Sequence, residues 1–129
     1  MNKKENFNIT NKTQANIPNV DFFGLKNTAL GEDYSLSLVF IDEKESKRLN
    51  ETYRNKNKPT NVLSFPLDKK SGEIFITLAV AKKEAKNFER GFTNFVAFLF
   101  IHALCHLKGY DHGSTMERAE QKLRKQFLV

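Results

Sequence analysis

Apolar side chains recur at every second position from Tyr34 to Ile41, where Leu36, Leu38 and Phe40 share one side, and a two-residue period of this kind predicts a strand. A weaker alternation, Asn6-Phe7-Asn8-Ile9, lies within a polar stretch from Met1 to Asn19 and reads as a short edge strand. Between the two, Asn19 to Leu25 is amphipathic and predicts a short helix ending near Gly31. Asp42 is placed to cap the next helix, with Ser46, Leu49 and Tyr53 on its apolar side. That helix must stop before Lys58-Pro59, because the residue before a proline avoids helical geometry. Val62 to Phe65 then predicts a strand stopped by Pro66, and after a link containing Gly72, Glu73 to Ile76 predicts a buried one. Leu78 to Phe88 is helical in pattern. Thr93 is the expected cap of a long helix that passes through His102 and stops at Gly109, and a final amphipathic helix runs from about Ser114 to Phe127. Interspersed strands and helices without repeat or linker imply an α+β or α/β layering in one domain with one small sheet.

Composition narrows the class. The chain of 129 residues is one domain's worth, and 40% hydrophobic with 28% charged residues is ordinary for a globular protein, which excludes collagen, coiled coil and wholesale disorder. A net charge of +6 favours a polyanionic partner and leaves RNA, DNA and acidic membranes open. One cysteine, Cys105, excludes an intramolecular disulfide, and no apolar run follows the first lysines as a signal peptide requires, so the cytoplasm is the expected location. The most apolar window, Phe95 to Ile101, is too short to span a bilayer, so no membrane partner is expected.

All three histidines fall within eleven residues, as His102, His106 and His112. On a helix the first two stand one turn apart and about 40° around the axis, so both imidazoles can face one ion. Gly109 can adopt the backbone conformation that lets the chain leave the helix and return His112 as a third ligand. A lone helical histidine is ordinarily just a side chain in partial contact with the core. Three at offsets 0, 4 and 10 arise by chance about once in three thousand arrangements, and at any acceptable metal spacing about once in a few hundred, which makes metal binding the reading to carry forward. Three imidazoles with an open fourth position are the ligand set of a catalytic zinc site. The spacing also matches the metzincin peptidase pattern H-E-x-x-H-x-x-G-x-x-H except at Ala103, where the glutamate base of those enzymes is missing.

Together with Leu49-Asn50-x-x-Tyr53-Arg54-x-Lys56-x-x-Pro59-Thr60-Asn61-Val62-Leu63-Ser64-Phe65-Pro66 and Gly72-Glu73-Ile74, the histidine segment resembles the YbeY family of bacterial endoribonucleases over roughly residues 36 to 127. The resemblance implies a zinc-dependent cut in single-stranded RNA during maturation and quality control of the small ribosomal subunit, in the company of the ribosome or its assembly proteins. It implies an α+β single domain over residues 1–129, with a small four-stranded mixed sheet flanked by helices and one Zn2+ at the end of a core helix. The family's metal ligands fall on His102, His106 and His112, and its functional arginine on Arg54. The chain departs from the family at a short link from Pro66 to Gly72, a compressed amino-terminal helix region, Asn57 where aspartate is common, and Ala103 and Cys105. A missing carboxylate at 57 speaks against a base on that loop, and a shorter link narrows the RNA cleft.

Zinc held by three imidazoles brings water's pKa to about 7, so Ala103 does not preclude hydrolysis. Attack by the RNA 2′-hydroxyl is equally compatible with the sequence. In either case Arg54 is the candidate for stabilising transition-state charge, and His106 is the ligand counted with it as catalytic. Arg54, Lys56 and Lys58 form a basic group suited to phosphates, and Lys82, Lys86 and Arg90 form a second stripe that is equally a solvated surface beside Glu84 and Glu89. Ser64, Tyr110 and Asp111 are weaker candidates, Asp111 as a support for a ligating imidazole or as plain turn chemistry. Cys105 is near enough to be a fourth ligand, which would close the site and make the zinc structural, but its type favours a buried apolar role. Phe92, Phe95, Phe98 and Phe100 have the spacing of core residues more than of base-stacking ones. Two competing functions stay open: a divergent metallopeptidase, and a non-catalytic ribosome-assembly factor with structural zinc. Oligomeric state is not readable from the chain.

Overall fold

The computed structural model describes residues 6–110 and 113–129. Its elements run β1 (Phe7–Asn11), α1 (Phe22–Leu30), β2 (Ser35–Ile41), α2 (Glu43–Arg54), β3 (Val62–Asp68), β4 (Ser71–Thr77), α3 (Leu78–Glu84), a 3₁₀ turn (Ala85–Phe88), α4 (Phe92–Lys108) and α5 (Ser114–Phe127). The strands form one mixed sheet in the order β1-β2-β4-β3. β1 and β4 both lie parallel to β2, and β3 runs antiparallel to β4. This is the α+β single domain expected, with its four-stranded sheet and flanking helices.

Strand alternation divides the apolar residues between two faces. Phe7, Leu36, Leu38, Phe40, Ile74 and Ile76 enter the main core with α1, α4 and α5. Val39, Ile41 and Leu63 pack on the opposite face against Leu49 of α2. α4 is the central support, with ten of its seventeen residues buried. Among the described residues no single helix is long and apolar enough to cross a membrane.

Local chemistry accounts for most boundaries. Asp21 and Asp42 each accept a backbone N–H, from Gly24 and Glu45, and so start α1 and α2. Gly109 takes φ +106 at the end of α4, the left-handed cap expected of it. Gly72 is demanded by a close approach: a Cβ there would stand 2.5 Å from the buried Tyr34 hydroxyl and 3.0 Å from Leu107.

Three expectations are corrected. β3 does not stop at Pro66 but continues through it to Asp68, with an irregularity at that point, because β3 is an edge strand and one side of an edge has no ladder to lose. The expected link from Pro66 to Gly72 is thereby reduced to the two-residue turn Lys69-Lys70, tightened by Asp68 accepting the Lys70 N–H. α4 starts one residue before Thr93, with Gly91 as its cap and no side-chain cap bond. Tyr53 leans on Phe65 at a ring separation of 5.2 Å but stays 64% exposed, and Asn50 takes the buried place beside Ser46 and Leu49.

Candidate functional site

The two α4 histidines meet as the helical spacing requires. His102 Nε2 and His106 Nε2 are 3.2 Å apart, with their rings at 89° to each other. Two nitrogens each about 2.05 Å from a tetrahedral zinc ion are separated by about 3.3 Å, so this pair has the edge length of such a site. The other nitrogen of His102, Nδ1, stands 3.2 Å from Glu120 Oε1 on α5. A proton donated from Nδ1 to that carboxylate leaves Nε2 bare, which is the ligating tautomer, and the carboxylate also holds the ring's direction. Both features fit a metal ion. Among the described residues no group of three His, Cys, Asp or Glu side chains is arranged to hold one; His112, the expected third ligand, and Asp111 lie outside those residues.

The pair opens on a cleft of about 930 Å³ between β3 and the helices α4 and α5. Arg54, Ser64, Ala103 and Tyr110 line it as well, so the two histidines share one space with the expected arginine. Ser64 reaches the cleft because it pairs with Ile74 and takes the same face of the sheet, which is the α4 face. Cys105 does not line the cleft. It is buried in the main core, where desolvation pushes its thiol up to about 11. A sulfur in that position is a packing group, as its residue type suggested.

Arg54 is the last residue of α2 and Asn55 adopts the left-handed cap after it. The loop beyond is fastened to the helix by two buried polar side chains. Ser46 Oγ donates to the Thr60 carbonyl and accepts the Thr60 N–H, both at 2.9 Å, and Asn50 Nδ2 donates to the Lys58 carbonyl at 2.8 Å. Ser46→Ala leaves both Thr60 groups unpaired in a partly buried place. The expected cost is about 1–3 kcal/mol, measured by urea denaturation, and an unchanged midpoint would contradict this account of the loop. Lys56 and Lys58 are exposed on this loop and stay outside the cleft lining. The second basic stripe does not form: α3 ends at Glu84, Lys86 falls in the 3₁₀ turn, and Glu89 in a left-handed conformation turns Arg90 away from the helix. The four phenylalanines divide, with Phe95 and Phe100 fully buried while Phe98 stays partly exposed and lines the cleft.

Among the lining residues not singled out by the sequence are Phe88, Glu117, Glu120 and Arg124. Glu120 also lies 3.8 Å from Arg124, so one carboxylate joins His102 to a guanidinium. The only sequence signal for them is the one-turn spacing of Glu120 and Arg124 on α5, which any solvated helix shares.

Comparison with known proteins gives the cleft a lineage. A family profile described as Endoribonuclease YbeY matches residues 1–128. Proteins called Endoribonuclease YbeY from Alkaliphilus metalliredigens and Alkaliphilus oremlandii are 37% and 38% identical, over 75% of this chain and 70% and 71% of theirs. One from Clostridium botulinum strain Loch Maree is 29% identical over 154 aligned positions, covering 99% of this chain and 93% of its own. That alignment is longer than the 129-residue chain, so the relative carries segments this chain lacks. A solution structure of a Thermotoga maritima protein shares the fold, with a TM-score of 0.67 over 94% of this chain and 88% of that one at 23% identity. Matched by the family profile along nearly its whole length, the chain belongs to the YbeY family of endoribonucleases.

Proposed function

We propose that this protein is a zinc-dependent endoribonuclease specific for single strands, acting in the cytoplasm on ribosomal RNA during maturation of the small subunit, alongside ribosome-assembly proteins. The observation that carries it is the 3.2 Å separation of His102 Nε2 and His106 Nε2 on a cleft that Arg54 also lines. His102, His106 and His112 hold one Zn2+ per chain. Zinc so held supplies Lewis acidity, enough to bring water's pKa to about 7.

The chain's own groups then have separate tasks. Glu120 holds the His102 ring in its ligating tautomer. Arg54 presents paired donors to the phosphate, where charge grows on the non-bridging oxygens as the phosphorus gains its fifth bond. Lys56 and Lys58 draw in the flanking strand from the loop that Ser46 and Asn50 fasten. Because Ala103 offers no carboxylate, no peptidase-type base stands at that position.

The test is the purified protein on a single-stranded RNA, on the same RNA annealed to its complement, and on a peptide mixture, before and after chelation. Cutting of the single strand alone is expected, lost on chelation and restored by zinc. Peptide cleavage with intact RNA would support the peptidase alternative. Tightly held zinc with neither substrate cut would support an assembly factor with a structural metal.

A further inference from the structure

One end of the cleft is built for something other than the phosphate at the metal. Phe88, half exposed at 50%, lines the cleft from the 3₁₀ turn. Its ring lies against Phe95 at 4.9 Å and 27° and against Phe98 at 6.0 Å and 42°, and Phe95 lies against Phe98 at 5.9 Å and 16°, so the three rings pack mutually in one aromatic tier of which Phe88 is the most exposed. Two guanidiniums stand over the same Phe98: Arg90 at 4.3 Å from the ring centre and Arg124 at 5.5 Å. Arg124 lines the cleft beside Phe88. Glu120, 3.8 Å from Arg124, is shared with His102, and Arg90 donates to the neutral Asn94 side chain. Burial, with the neighbouring Arg124 charge, holds Arg90 below its ordinary pKa.

Position within the cleft gives this tier its meaning. Phe98 and His102 are four residues apart on α4 and therefore neighbours on one helix face, about 6 Å between Cβ atoms. The Phe88 ring centre stands 6.0 Å from that of Phe98, so the stacking face lies about one or two nucleotide lengths from the histidines. An exposed aromatic face, a cation pair and this separation are what one unpaired nucleotide requires: a π surface for the base and donors for the phosphate.

We infer that Phe88 and Arg124, backed by Phe95, Phe98 and Arg90, form a nucleotide subsite that stacks one unpaired base next to the scissile phosphate. This rests on the endoribonuclease reading and deepens it, since the tier supplies a physical reason for single-strand preference: a base held in a duplex stack cannot lie on Phe88.

The test is binding of an eight-nucleotide 2′-O-methyl RNA, which resists cleavage through its 2′ position, carrying 2-aminopurine and titrated onto wild type, Phe88→Tyr, Phe88→Leu and Arg124→Gln. Stacking quenches the fluorophore. Wild type and Phe88→Tyr are expected to bind within about two-fold of each other, because both keep an aromatic face. Phe88→Leu fills the same space without that face and is expected to weaken binding about five-fold or more, with the quench lost. Arg124→Gln is expected to flatten the dependence of log affinity on log salt by about 0.7, one phosphate contact on a single strand. Equal affinity and quench in Phe88→Leu, while wild type still cuts RNA, would overturn the subsite alone. Wild type that neither binds nor cuts would overturn the endoribonuclease reading and the subsite with it.

Discussion

His106→Ala is expected to lower RNA cleavage roughly a thousand-fold or more, since removing one of the two converging nitrogens takes with it the several kcal/mol of transition-state stabilisation that a bound metal provides. The fold should survive, because His106 lies at the edge of the cleft and the α4 packing rests on Phe95, Phe100, Ile101 and Leu104. Far-ultraviolet circular dichroism and a melting curve beside the rate separate the two effects. A well-folded variant that cuts at the wild-type rate would place the chemistry elsewhere or reveal a contaminating ribonuclease.

Arg54→Glu tests the other wall of the cleft. Removing a donor aimed at developing charge costs about 10²–10³ in rate, and reversing its sign adds repulsion of the phosphate, so a loss at or above the top of that range is expected. Arg54→Lys keeps the charge but not the planar pair of donors and should recover only part of it. Arg54 is an exposed helix-terminal residue, so stability should change by no more than about 1 kcal/mol. Zinc content should not change at all. A parallel loss of metal and activity would mean that Arg54 acts through the metal site's structure, and an unaltered rate would reduce it to a solvated helix end.

Sequence pattern carried far in this protein because its main features are local. The approach of His102 to His106 is dictated by the pitch of one helix, and Gly109 ends that helix by a conformation that its residue type announces. Strand alternation likewise placed β2 and most of β4, and Asp42 makes the capping bond expected of it. Features that depend on neighbours distant in the chain were less readable. Pro66 argues for a strand end until the sheet order puts β3 at the edge. Glu120 reaches His102 only because α5 packs against α4, and eighteen residues of separation leave no pattern to show it. Phe88 looks like one more apolar residue of a helix, and its exposure follows from a 3₁₀ turn that pattern alone did not mark. Lys26 makes the same point from the core: it is fully enclosed on α1, with its ammonium donating to the Glu32 carbonyl at 3.3 Å, and nothing in a lysine predicts burial.

The most direct measurement is the zinc-to-protein ratio, by elemental mass spectrometry, of wild type, His102→Ala, His106→Ala and Cys105→Ala purified and dialysed side by side. About one zinc per chain is expected in wild type and in Cys105→Ala, whose buried thiol belongs to the core, and less than about a tenth of that in either histidine variant. Full zinc content in His102→Ala and His106→Ala, or its loss in Cys105→Ala, would contradict an open metal site built on the paired imidazoles.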